Sequence, residues 1–214
     1  MTYVFQAQID AVLTDLAGVC REVETLVRDA TEALMTARAD IAEQVIDADD
    51  GIDQARQHVE DVALEILSLQ APVATNLRII VAALAIVTDL DRMGDLAVHV
   101  AKIARLRTPV VAVPEIVRPI IEQMADVAER MVALTARVID DRDLALAEDL
   151  REQDDVMDDL RRETFQRVLA GEWDSGVEAA VDMALLSRYY ERIADHAVAV
   201  ADRVHFIVTG ENPS

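Results

Sequence analysis

The chain has 214 residues, a formal net charge of -21, 52% apolar side chains and only 3% aromatic ones. A surface that acidic repels phosphate backbones and anionic head groups and attracts cations and basic protein patches, which argues against nucleic acid as a partner. The longest apolar run, residues 79–87, is far shorter than the roughly 20 residues of a membrane-spanning helix, so no direct membrane insertion is expected.

Six Gly and five Pro interrupt a sequence rich in Ala, Leu and Val, a mix that favours long helices over sheets. Residues 1–10 lack the basic start and apolar stretch of a secretory signal, and Cys20, the single cysteine, has no partner for an internal disulfide. A cytoplasmic location is the expectation, with Cys20 a small core residue rather than a nucleophile.

From residue 3 to about residue 107 the pattern is helical, with turns expected at 37–40 and 69–72, giving three long helices. Pro72 suits the first turn of the third, where its missing N–H would have no intrahelical acceptor. Residues 108–113, which contain Pro109 and are followed by Pro114, lose the helical period and form the expected linker. The scheme then restarts, with a fourth helix from about residue 114, a turn at 140–143, a fifth helix, and a break at 171–176 where Asp174 or Ser175 can cap the sixth.

The third and sixth helices carry apolar seams spaced alternately by four and three: Ile86, Leu90, Met93, Ala97, Val100 and Ala104, then Leu186, Tyr190, Ile193, Ala197, Val200, Val204 and Ile207. That spacing packs a helix nearly parallel to its neighbours. The expected fold is all-α, two tandem three-helix bundles over residues 1–107 and 114–214.

The halves also align with each other. Asp49-Asp50-Gly51-Ile52-Asp53 matches Asp154-Asp155-Val156-Met157-Asp158, and Asp91-Arg92-Met93-Gly94-Asp95 matches Glu191-Arg192-Ile193-Ala194-Asp195, in the same order and at the same phase to the seam. Agreement in order and phase marks an internal duplication.

Each half therefore offers two acid pairs at i, i+4: Asp49 with Asp53 and Asp91 with Asp95, then Asp154 with Asp158 and Glu191 with Asp195. Such spacing places both acids on one helix face, where like charges destabilise the helix by about 0.2–0.5 kcal/mol and a cation would compensate. Carboxylates without cysteine suit a hard, oxygen-preferring ion, so Fe, Mn or Mg is the expected metal. In a chain with 41 acids many such pairs are only solvated; recurrence in register separates these four pairs from the rest.

His99 continues the first pair at the next i+4 step and is a further candidate ligand, with a core-edge histidine as its ordinary reading. Ala199 stands at the matching position, so the two sites would be unequal. Arg92 and Arg192 read as salt-bridge partners. A carboxylate-bridged di-iron enzyme or iron-storage bundle is the rival class, and the Glu-x-x-His motifs it asks for are absent. Neither a Gly-rich phosphate loop nor a nucleophile–base motif is visible, so no enzymatic activity is expected.

These residues resemble the PhoU family, cytoplasmic accessory regulators of phosphate uptake. The family's mark is an acid-x-x-x-Asp motif, typically Glu-Arg-Ile-Gly-Asp-His-Ala, on the third helix of each of two bundles; here it reads Asp91-Arg92-Met93-Gly94-Asp95-Leu96-Ala97 and Glu191-Arg192-Ile193-Ala194-Asp195-His196-Ala197. Pro72-Val73-Ala74-Thr75-Asn76-Leu77-Arg78 looks like a second family stretch. Asp91, Asn76 and Ala194 depart from the commoner Glu, Asp and Gly, and the Asn that often follows the motif is His99 in one half and Ala199 in the other. The resemblance implies metal clusters on the acid motifs, and coupling of the ATPase subunit of a phosphate ABC transporter to a sensor histidine kinase so that phosphate-starvation signalling is held off when phosphate is ample. Homodimer formation is left open.

Overall fold

The computed structural model describes residues 2–211, with side chains from Gln6 onward. Seven helices follow one another: α1 (Thr2–Thr36), α2 (Ala39–Asp47), α3 (Asp49–Gln70), α4 (Ala74–Arg107), α5 (Arg118–Asp141), α6 (Leu144–Val168) and α7 (Gly176–Thr209). No strand occurs among the described residues. Helix α1, the pair α2 and α3, and α4 make one three-helix bundle, and α5, α6 and α7 make the other, the duplicated all-α fold that the seams predict.

Four details differ from the sequence expectation. The second helix is two helices, broken at Ala48, because Asp47, Asp49, Asp50 and Gly51 crowd weak helix formers into one turn while acids favour a helix start. The matching stretch, with Val156 in place of Gly51, runs unbroken inside α6. Pro72 lies before α4, whose N-cap position is Val73. Helix α5 begins at Arg118 rather than near Pro114, which puts Pro119 in its first turn, the place where a proline costs no hydrogen bond. At α7 the N-cap position is Ser175, but neither its side chain nor that of Asp174 bonds the helix end. By contrast Asp143 does cap α6, accepting from Ala145 N–H at 2.8 Å.

Both predicted seams are core, every one of their residues being at most 2% exposed. Helices α4 and α7 are buried on more than that one stripe. Besides their own bundles they pack on each other, while α1 packs on α5, so the two bundles lie side by side through these four helices. The crossing of α4 and α7 is antiparallel, because Arg107 near the end of α4 binds Asp182 near the start of α7 with two hydrogen bonds of 2.6 and 3.1 Å. Farther along, the carboxylate of Asp89 accepts from His196 Nδ1 at 3.0 Å and Arg203 Nε at 2.7 Å. Buried Asp89 and Asp182 are both held by cations from the other bundle, as charges in a low-dielectric interface must be. Tyr190, fully buried on α7, shares a 2.8 Å hydrogen bond with Thr31 of α1. Cys20 is a core residue whose Sγ donates to the Val132 carbonyl at 3.3 Å, and burial pushes its thiol pKa up. No helix among the described residues is long and apolar enough to cross a membrane.

Gly94 and Ala194 hold the same place in the duplicated motif. A Cβ built on Gly94 would meet Ile52 at 3.5 Å, an ordinary van der Waals contact. Gly94→Ala is therefore expected to stabilise the protein by about 0.5–1 kcal/mol through helix propensity, read as a higher midpoint in urea with an unchanged slope; a loss of stability would show that closer helix approach depends on the glycine.

Candidate functional site

The acid pairs meet where an outer helix lies against a long central one. In the first half Asp49 stands in the opening turn of α3, with Asp53 one turn on, and both face Asp91 and Asp95 of α4. Burial, followed by the charges of Asp95 and Asp53, holds the Asp49 carboxyl above its ordinary pKa range. Asp91 is raised too, chiefly by burial, with Arg56 pulling against it and Asp95 and Asp53 adding to it. In the second half Asp154 and Asp158 of α6 face Glu191 and Asp195 of α7. Burial pushes Asp154 up to about 6, helped by Asp195 and Asp158. Glu191 is raised by burial and by Asp195 against the pull of Arg188 and Arg161. All eight carboxylates nominated from the sequence are thus gathered into two groups of four.

Each group holds an arginine that the sequence reading passed over. Arg56 of α3 lies 3.3 Å from Asp91 and also pairs with Asp53 and Glu60, at 3.3 and 2.8 Å. Its counterpart Arg161 of α6 reaches Glu191 at 4.0 Å. Both follow the second acid of the outer pair by three residues, a recurrence visible in the sequence once the repeat is extended to them. In both the Nε atom is buried without a hydrogen-bond partner: Arg56 Nε lies close to Asp91 but off line, and Arg161 meets Glu191 only through Nη1, beyond hydrogen-bond distance. Arg188 adds a second guanidinium in the second half, hydrogen-bonded to Glu191 and 3.9 Å from Asp195; the first half has Thr88 at that position.

His99 does not extend the first acid group. Its ring stacks on Tyr189, centroids 5.3 Å apart, in a cleft between α4 and α7, and of the four acids in its half only Asp95 lines that cleft. The i+4 step from Asp95 carried no information about which of two neighbouring helices the next turn would face.

The chemistry of the donor sets, in each of which two partly or fully buried carboxylates are raised by burial and by neighbouring acids while the others are more exposed, fits a hard cation. Among the described residues, however, no three acid, His or Cys side chains converge closely enough to hold an ion as they stand. Arginines compensate Asp53, Asp91, Asp95 and Glu191, while none pairs with Asp49 or Asp154.

Duplicated three-helix bundles with an acid groove in each half define an all-α protein built from two copies of one unit. A family profile described as the PhoU domain matches residues 16–104 and again residues 121–204. The chain belongs to the PhoU family. It is 44% identical, over the full length of both chains, to the Mycobacterium tuberculosis "Phosphate-specific transport system accessory protein PhoU homolog 2". It is 42% identical to the homolog 1 protein of Mycobacterium leprae, covering 100% of this chain and 96% of that one. Among solved structures, that of PhoU from Pseudomonas aeruginosa superposes with a TM-score of 0.88 at 26% identity, over 97% of this chain and 100% of that one.

The raised pKa of Asp154 has a stability consequence in protein freed of metal. Its folded-state value, about 6, lies above the unfolded value of about 4, so the folded chain binds more protons in that interval and stability falls as pH rises through it. Asp154→Asn removes that loss. The melting temperature of the chelator-treated variant should exceed that of wild type above about pH 6 and converge with it near about pH 4; parallel curves at all pH values would contradict this.

Proposed function

We propose that this chain is a non-enzymatic accessory regulator of phosphate uptake, contacting the ATPase subunit of a phosphate ABC transporter and a sensor histidine kinase, and holding phosphate-starvation signalling off when phosphate is ample. The full-length likeness to relatives named phosphate-specific transport system accessory proteins carries this reading. The strongly acidic surface supports it, since complementary charge favours encounter with basic partner patches. Deleting the gene should derepress phosphate-starvation genes in phosphate-replete cells, measured by a reporter; a reporter that stays silent sinks the proposal.

The two acid groups would hold Fe, Mn or Mg, with Asp49, Asp53, Asp91 and Asp95 as donors in one half and Asp154, Asp158, Glu191 and Asp195 in the other. The cation would relieve carboxylate repulsion and stiffen the outer helix against the central one. Arg56 and Arg161 compete for the same carboxylates, so each must release its acid as the ion enters. Linkage then requires that added Mn²⁺ raise the melting temperature, by about 1.4 kcal/mol of stability per tenfold excess of free ion over its dissociation constant. The combined Asp95→Asn and Asp195→Asn variant should lose that response, and Arg56→Gln with Arg161→Gln should gain it at lower ion concentration. An unchanged response in the Asn variant would place the ions elsewhere.

A further inference from the structure

The two motif arginines lie between the bundles rather than against the outer helices, with Arg92 reaching only Asp95 of its acid group, at 2.7 Å. Arg92 is one residue past Asp91, about 100° further round α4, and Arg192 stands in the same relation to Glu191 on α7. Because α4 and α7 cross antiparallel, both turn toward one cavity of about 380 Å³ between the bundles, lined by Arg92, Arg188, Arg192, His99, His196 and Asp95. Equivalent residues of the two repeats meet there, so the cavity lies on the approximate two-fold axis relating the halves.

Its charge is opposite to that of the protein. In a chain of net charge -21, three guanidiniums share a lining with a single carboxylate. Arg92 and Arg188 are partly engaged at the rim, Arg92 with Asp95 at 2.7 Å and Arg188 with Glu191. Arg192 is exposed and forms no ion pair among the described residues. His196 is fixed by the Asp89 bond at Nδ1, which leaves Nε2 as the ring's second polar edge. His99 is held flat against Tyr189. Several donors converging on one void, with His196 fixed by Asp89 and Arg192 left unpaired, are what an anion site requires.

We propose that this α4–α7 cleft binds a phosphate-type oxyanion. Guanidinium forks match tetrahedral oxygens bidentately, and the volume is at the low end of the roughly 300–1,000 Å³ typical of ligand sites, which suits a phosphate with its waters or the phosphoryl end of a small metabolite. The lone carboxylate has a role in the choice of anion. Asp95 can accept from the P–OH of monohydrogen phosphate, whereas sulfate carries no proton to give and would face the carboxylate unpaired. The inference stands apart from the regulatory reading, because binding in vitro is measured without transporter or kinase.

The test is isothermal titration of the full chain, chelator-treated and in a chloride background, with inorganic phosphate, sulfate and ATP. Phosphate is expected to bind and to be weakened roughly tenfold or more by Arg192→Gln, and similarly by its repeat counterpart Arg92→Gln, the loss expected for a charge-assisted hydrogen bond. Arg162→Gln, at an exposed position on α6 away from the cleft, should leave binding unchanged, and circular dichroism checks that each variant stays folded. Phosphate binding at least as tightly as ATP assigns the cleft to the free anion; tighter ATP binding that depends on Arg192 assigns it to a phosphoryl end. Absence of binding at millimolar phosphate and ATP, equal affinity for sulfate, or affinity that Arg192→Gln and Arg92→Gln leave intact would overturn the proposal.

Discussion

The antiparallel packing of α4 on α7 is the contact on which the rest of the molecule depends. Each of these helices spends one stripe on its own bundle and another on the opposite helix, so little of its circumference is left for charge. Apolar contact alone would let two such helices slide by a turn, since seams repeat. The two buried carboxylates remove that freedom: Asp182 is met by Arg107, and Asp89 by His196 and Arg203, at only one register. Breaking either pair would leave an uncompensated buried charge, a far larger penalty than losing an exposed pair.

Once that register is set, the positions of the polar groups follow from helix geometry. Acids one step off the seam on one side face the outer helices α3 and α6; arginines one step off on the other side face the partner helix. The result is an alternation of acid group, basic cleft and acid group from α3 across α4 and α7 to α6. These features adjoin, for Arg92 holds Asp95 and Arg188 holds Glu191, so a ligand that draws on the arginines alters the charge balance of the carboxylates beside them.

The duplication is not exact, and its irregularities fall at the functional surface. Arg188 faces Thr88 in the alignment of halves, Ala194 faces Gly94, and Ala199 faces His99. The outer helix is broken before the acids in one half and continuous in the other. Two arginines attend each acid group, and the second still contains the carboxyl raised to about 6, because burial and four neighbouring acids act on Asp154 while neither arginine pairs with it.

Much of this was legible in the residues. The seams, the duplication and the eight carboxylates depend on period and recurrence, which are properties of the chain itself; helix geometry converts them directly into faces. The same reasoning failed where a face had two neighbours to choose from. His99 follows Asp95 by one turn yet stacks on Tyr189, because α4 is sandwiched between α3 and α7 and a single turn can reach either. Of the two arginines read as salt-bridge partners, Arg92 does pair, with Asp95, while Arg192 forms no ion pair among the described residues; Arg188, Asp89 and Asp182 carried no repeating signal at all. Which residues share a cleft across the two bundles is decided by the register of α4 on α7, and that register rests on pairings between residues some 75 to 114 positions apart. Local sequence therefore determined what each helix offers, and only the tertiary packing decided what those offers meet.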